Sequence, residues 1–253
     1  MSAYLTAVLA DSPVHYWRFA DPGGILAHDI GSSPIALIGS AQVALGYTGP
    51  ISDGGSFVDN SASNYNSAGA SIGSQTSPFS YEMWVWPVAA VATQRYIFAW
   101  DGSTPNAAQM FWNAAGTVEA HVNGVSSGFT GTVSLRAWHH LVATYDSTTL
   151  KLYLDGSLSI SHAVAGPITV NRPIGIGAEP GGGTLAFEGA ISEVAIYSTT
   201  LSAARVSAHF SAADQVFQPP VFNGAGGVPG GLSSSTPYLS LLQQILNAVK
   251  RTF

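Results

Sequence analysis

Apolar and polar residues alternate with a period of two along much of the chain up to Tyr197. Leu150, Leu152 and Leu154 fall on one face of an extended segment, and Lys151 and Tyr153 fall on the other. Asp146-Ser147-Thr148-Thr149 is a polar reversal before that segment. Asp155-Gly156 turns the chain after it, because glycine accepts a positive φ, and Ser157-Leu158-Ser159-Ile160-Ser161 then alternates again. The same reading predicts strands over 14–19, 34–38, 55–58, 80–86, 95–100, 108–113, 117–122, 138–145, 150–154, 158–163, 173–177 and 187–197. Gly, Pro, Asn and Asp occupy almost every gap between them. Residues 201–209 read as a short helix with Ser202 as its cap. The expectation is an all-β, two-sheet antiparallel sandwich over residues 1–212.

The pattern changes after this unit. Residues 213–237 carry Gln218-Pro219-Pro220, a Gly-rich run from Asn223 to Gly231, and Ser233-Ser234-Ser235, a linker with little to bury. Thr236-Pro237 has the form of a helix start, and Leu239, Leu242, Leu246, Val249 and Phe253 recur at three- and four-residue spacing over 238–253. About sixteen residues is too short for an isolated helix in water, so this stripe needs a partner surface. The partner is another protein of an assembly or a second copy of the chain; the alternative is fold-back onto the sandwich.

Several phrases resemble one known family, in its order. Trp138-His139-His140-Leu141-Val142-Ala143-Thr144-Tyr145-Asp146 with Leu150–Gly156 is similar to a recurrent signature of the laminin-G-like, concanavalin-A-like jelly rolls. Val8–Phe19 resembles the family's opening strand, Pro78–Pro87 its central tryptophan strand, and Phe187–Tyr197 with Leu201-Ser202 its closing strand and helix. The resemblance implies a jelly-roll sandwich with a short closing helix, of a type also found in phage virion proteins. Because relatives of this fold hold a structural calcium, it also implies a ligand position where this chain has Ser192, with Asp21, Asp29 and Asp59 as compensating loop carboxylates. Glu193 is expected to face away from Ser192. No other cofactor is expected.

Composition narrows the function. Hydrophobic residues make up 46% of the chain and charged residues only 9%, against about 25% charged in an average soluble domain. Such a nearly uncharged surface suits an extracellular protein or a component of a large assembly. Net charge is −6 with eight Lys and Arg, which excludes the basic stripe that nucleic-acid binding needs. Cysteine is absent, so disulfides and thiolate metal sites are excluded. No window approaches the roughly eighteen apolar residues of a membrane-spanning helix. Met1-Ser2-Ala3-Tyr4 shows no targeting device. Together these point to a phage protein released by lysis, a minor tail or capsid-decorating protein that forms a homo-oligomer, or else to an extracellular protein whose leader has been removed.

Candidate chemistry is sparse. No two acidic residues lie closer than five positions apart, so the strand-borne carboxylate pair of a glucanase is missing, and the expectation is a non-enzymatic protein. A glycoside hydrolase would have to assemble a pair across strands from Glu82, Glu119 or Glu188. Glu82, Trp84 and Trp86 share one strand face, an aromatic-plus-carboxylate arrangement suited to sugar recognition, although tryptophan also fills sandwich cores. Trp100, Phe111 and Trp112 carry the same two readings. His139 and His140 are adjacent on a strand and point to opposite faces, so they cannot easily share an ion, and the other histidines show no ligand spacing. The functional expectation is a displayed jelly roll that binds host-surface glycans, with a lectin-like protein outside any virion as the alternative.

Overall fold

The computed structural model describes residues 1–39, 44–60, 65–66, 74–100, 107–171, 173–180, 185–213 and 219–220. The docking stripe Leu239, Leu242, Leu246, Val249 and Phe253, and all of the 213–237 linker except Ala213, Pro219 and Pro220, lie outside the described residues. Each of the twelve predicted strands has a counterpart, and the fold is an antiparallel β-sandwich.

One sheet runs in the spatial order Ser157–Ala163, Thr149–Leu154, His139–Tyr145, Phe79–Pro87, Glu188–Tyr197, Gly55–Asn60, Ala44–Thr48, with His15–Trp17 also paired to Glu188–Tyr197. The other runs Val125–Ser126, Thr117–Val122, Ala108–Asn113, Arg95–Trp100, Ile174–Ile176, Tyr65–Asn66, Leu37–Gly39, Leu26–Ala27. Between them lies the main core. Phe79, Tyr81, Met83, Val85, Leu141, Ala143, Tyr145, Leu150 and Leu152 come from the first sheet, and Phe98, Trp100, Met110, Trp112, Val118, Ile174 and Ile176 from the second. The period-two alternation therefore sorts these side chains as predicted.

The first sheet has a second buried face. Every residue of Phe79–Pro87 is buried, because Trp84 and Trp86 join Tyr4, Leu5, Val8, Trp138, Val142, Tyr153, Tyr197 and Val206 in a separate apolar cluster. Two helices cover it, α1 (Ala3–Ala10) and α2 (Ala203–Ala212), which pack against each other. Each starts at a serine cap: Ser2 Oγ accepts from Leu5 N at 3.2 Å, and Ser202 Oγ accepts from Arg205 N at 3.2 Å. The second helix is the one predicted. The first was not predicted, and it precedes the strand predicted over 14–19, which begins at His15. Tyr4, Leu5 and Val8 are buried together on one helical face, and so short an apolar run does not distinguish helix from strand by period alone.

A bulge between Ser192 and Ala195 breaks the register of the long closing strand, and Glu193 sits there with φ +51°. The bulge corrects the expected orientation of Glu193. Instead of pointing into the inter-sheet core, it meets Arg18, which donates through Nε at 3.1 Å and Nη2 at 3.0 Å, and accepts from the Tyr16 hydroxyl. Arg18 Nη2 also reaches Asp53 at 2.7 Å, and Asp53 accepts from Ser2 N at 2.6 Å, tying the start of α1 to the sheet.

Trp84 stacks on Phe210 of α2 at 5.9 Å and meets Tyr4 of α1 edge-on at 6.1 Å. Trp84→Ala is therefore expected to lower unfolding free energy by about 3–5 kcal/mol, read by guanidinium denaturation. A loss below about 1 kcal/mol would show that the second cluster is not a packed core.

Candidate functional site

The outer face of the second sheet carries an unusual set of side chains. Alternation in Ala108–Asn113 and Thr117–Val122 sends Ala108, Met110, Trp112, Val118, Ala120 and Val122 inward, leaving Gln109, Phe111, Asn113, Glu119 and His121 on the other side. Phe111 lies opposite Glu119 in one neighbouring strand and opposite Tyr96 in the other. Its ring is 4.6 Å from that of Tyr96 and 4.9 Å from that of His121, giving a run of three rings across the sheet. Phe111, Gln109, Asn113 and Glu119 form a buried floor, and Gln94, Tyr96, His121 and Ser126 form a half-buried rim.

Glu119 is the charged centre of this face. Its carboxylate accepts from Gln94 Nε2 at 2.6 Å and Ser126 Oγ at 2.6 Å, and lies 2.9 Å from His121 Nε2. Burial alone would raise its pKa, but His121, Ser126 and then Gln94 outweigh that and hold it below the ordinary glutamate value. Asn113 Nδ2 is buried with no hydrogen-bond partner among the described residues. Beside the rings, residues 178–180 fold onto the sheet over Gly175, where any side chain would collide with the Ala178 carbonyl. Burial, and then the charge of Glu179 in that turn, raise the Tyr96 phenol. The arrangement offers ring faces next to amide and carboxylate groups, chemistry that matches the C–H and hydroxyl surfaces of a sugar.

The sequence-predicted sugar site lies elsewhere and is closed. Glu82 and Trp84 have no exposure and face α1 and α2, and Trp86, 6% exposed, packs edge-on against Trp138. Glu82 instead accepts from the Tyr197 hydroxyl and lies 3.0 Å from His140 Nε2. The candidate acids are not brought together: Glu82 and Glu188 belong to one sheet and Glu119 to the other. Trp100 and Trp112 are inter-sheet core. His139 pairs with Asp155 at 2.8 Å while His140 turns to Glu82, so the adjacent histidines have separate partners.

Two of the expected calcium ligand positions are taken up by protein partners, Asp29 and Ser192. Asp29 accepts from His15 Nδ1 at 2.7 Å and from the backbone N–H groups of Tyr16, Gly31 and Ile35 at 2.7, 2.8 and 2.9 Å, so its lone pairs are committed. Asp21 is bound to His28 Nδ1 at 2.6 Å, and Ser192 Oγ donates to the Gly55 carbonyl. Asp59 is in a strand opposite Gly189, and its side chain lies outside the described residues. Among the described residues no group of three or more His, Asp or Glu is placed to hold a metal. A cleft of about 420 Å³ opens between residues 19–22 and 46–55, lined by four glycines together with Phe19, Tyr47, Thr48, Ile51 and Ser52, and with Asp21 as its carboxylate.

Sequence reasoning named Glu119 and Phe111 but missed Gln94, Tyr96, Gln109, Asn113 and His121 as their neighbours. The signal was available: Gln109, Phe111 and Asn113 alternate with the core residues Ala108, Met110 and Trp112, and a phenylalanine flanked by amides on an outward face is unusual.

The profile of the concanavalin A-like lectin/glucanases superfamily matches residues 59–207, more than half of the chain. Among solved structures, domain 4 of AbnA, a GH43 extracellular arabinanase from Geobacillus stearothermophilus in complex with arabinotriose, is similar at TM-score 0.57 and 16% identity. The match covers 80% of this chain and 98% of that one. The botulinum neurotoxin serotype G binding domain matches at TM-score 0.57 and 14% identity, over 79% of this chain and 50% of that one. Trypanosoma rangeli sialidase in complex with the inhibitor DANA matches at TM-score 0.53 and 12% identity, over 78% of this chain and 32% of that one. At these identities the likeness is one of fold. Curated proteins include no sequence match.

A carboxyl-carbon NMR titration is expected to place Glu119 below the ordinary glutamate value, and Ser126→Ala to move it upward. A Glu119 that titrates like a free glutamate would remove the charged centre from this face.

Proposed function

Because the chain belongs to the concanavalin A-like lectin/glucanases superfamily, we propose that it is a non-enzymatic carbohydrate-binding jelly roll, displayed on a phage particle as a minor tail or capsid-decorating protein. The observation that carries the binding role is the Tyr96–Phe111–His121 ring run beside Glu119, Gln109 and Asn113 on an outward sheet face. A pyranose or furanose ring presents an apolar C–H surface to such rings and its hydroxyls to the flanking amides and carboxylate. The same face argues against hydrolysis. Glu119 is held ionised by its donors, and Glu82, which is fully enclosed, and Glu188 lie on the other sheet. An inverting or retaining glycosidase needs a second carboxyl group within about 5–10 Å across the sugar.

Display on a particle is supported by the low charge content and by the C-terminal stripe of Leu239, Leu242, Leu246, Val249 and Phe253 behind a Gly- and Ser-rich linker. In this reading the stripe docks on other virion proteins or trimerises with itself, and the sandwich faces the host surface.

Two measurements test the two halves of the proposal. On a glycan array, Tyr96→Ala is expected to weaken binding by about tenfold or more, a loss of roughly 1.4 kcal/mol or more, without unfolding; an array with no binding to the wild-type chain would overturn the glycan role. In density-gradient separation of a phage lysate, the protein is expected to co-migrate with particles and to lose that association when residues 213–253 are deleted. Recovery of the full-length chain only in the free fraction would instead favour a lectin-like protein outside any virion.

A further inference from the structure

One imidazole joins both covering helices to the sheet, and both of its nitrogens face carboxylates. His209 Nδ1 lies 3.2 and 3.1 Å from the two oxygens of Glu82, and His209 Nε2 lies 2.8 Å from Asp11 Oδ2. Glu82 belongs to the central strand, His209 to α2, and Asp11 is the C-cap of α1. A neutral imidazole carries one N–H and one lone pair. With carboxylate oxygens at both ends, the neutral ring would set its lone pair against one of them, whereas the imidazolium donates to both.

We propose that His209 is a doubly protonated bridge between Glu82 and Asp11, and that this bridge is a latch whose deprotonation at alkaline pH releases α1 and α2 from the Trp84 face.

The groups around the ring fit this assignment from every side. From the central strand comes Glu82, which also accepts from the Tyr197 hydroxyl of the closing strand. From His139–Tyr145 comes His140, whose Nε2 lies 3.0 Å from Glu82 and whose Nδ1 is buried with no hydrogen-bond partner among the described residues. From α1 comes Tyr4, ring-edge to His209 at 6.4 Å, together with Asp11 at its end. From α2 comes Arg205, which holds Asp11 through Nε at 3.0 and 2.8 Å and the Ala7 carbonyl through Nη2 at 3.0 Å. Arg205 Nη2 also lies 3.4 Å from His209 Nε2, a contact in which only the guanidinium can donate, so it competes with Asp11 for that nitrogen and opposes the bridge. Two carboxylates and two cations leave the cluster neutral only while His209 is charged.

Burial alone would lower the His209 pKa, but Glu82 and then Asp11 outweigh it and the net direction is upward. A histidine raised in the folded state adds stability that is complete below the unfolded value of about 6.5. That stability is lost as pH rises through the folded value. His209 has no exposure, so its N–H proton reaches hydroxide only when the cover opens. Deprotonation and release are thus one event. What release uncovers is apolar: the Trp84 ring.

Nitrogen-15 NMR of the full chain tests the assignment directly. Both ring nitrogens of His209 are expected to keep the protonated shift above the free histidine value of about 6.5. At higher pH, hydrogen-exchange protection of α1 and α2 is expected to fall about tenfold or more through the same step that neutralises His209, with Leu141–Ala143 unchanged. His209→Gln is expected to abolish the step. If that variant does not fold, Asp11→Asn, which removes one acceptor at a partly exposed position, is expected to move the step to lower pH. A His209 that titrates at or below the free histidine value, or helix protection that does not follow the ring titration, would overturn the latch.

Discussion

The buried carboxylate of Glu82 decides which faces of the sandwich are closed. Placed on a strand buried at every position, an unpaired carboxylate would be prohibitively costly. It is tolerated because Tyr197, His140 and His209 surround it. Burial would raise its pKa, but His209 and His140 outweigh burial and hold it well below the ordinary glutamate value. Two of these partners are strand residues of the same sheet and the third is on a covering helix. The charge that seems out of place in a core is therefore what ties the helical layer down. It acts with the stack of Trp84 on Phe210 and the Arg205–Asp11 pair.

That constraint distributes function across the molecule. With the inter-sheet core on one side and the helices on the other, the part of the first sheet around Glu82 and Trp84 is closed to a ligand. On the outer side of the second sheet the 178–180 turn lies over Gly175, and Gln109, Phe111, Asn113 and Glu119 are themselves buried. There a second buried carboxylate, Glu119, has a half-buried rim instead of a helical lid. Its donors are small and local, Gln94, Ser126 and His121, and three rings run beside it. Glu82 and Glu119 thus show two uses of one residue type. The first organises packing, and the second supplies polarity beside three rings on the other sheet.

Much of the fold was legible in the sequence because side-chain alternation has a direct cause. Leu150, Leu152 and Lys151, or Met110 and Phe111, sort to opposite faces whatever the rest of the chain does. Three features were not legible. The helix Ala3–Ala10 hid in a short apolar run compatible with either period. The orientation of Glu193 depends on a bulge, which inserts one residue and leaves no mark in an alternating pattern. And the fate of Glu82, Trp84 and Trp86 depended on what covers their face: strand periodicity shows that they share it but not that α1 and α2 lie over it. Tyr96 and Gln94 could be joined to Phe111 only through the strand register, a long-range property of the sheet. The same three-dimensional step separated Glu119 from the other acids, since the order of strands, not spacing along the chain, places them on different sheets.

The most direct measurement is an amide and side-chain NMR titration of the wild-type chain with the oligosaccharide that binds best on an array. The account predicts shift changes concentrated at Tyr96, Gln109, Phe111, Asn113, Glu119 and His121, with the buried Trp84 and Trp86 indoles silent. Changes centred on those two indoles, or on the cleft between residues 19–22 and 46–55, with the second sheet unmoved, would contradict it.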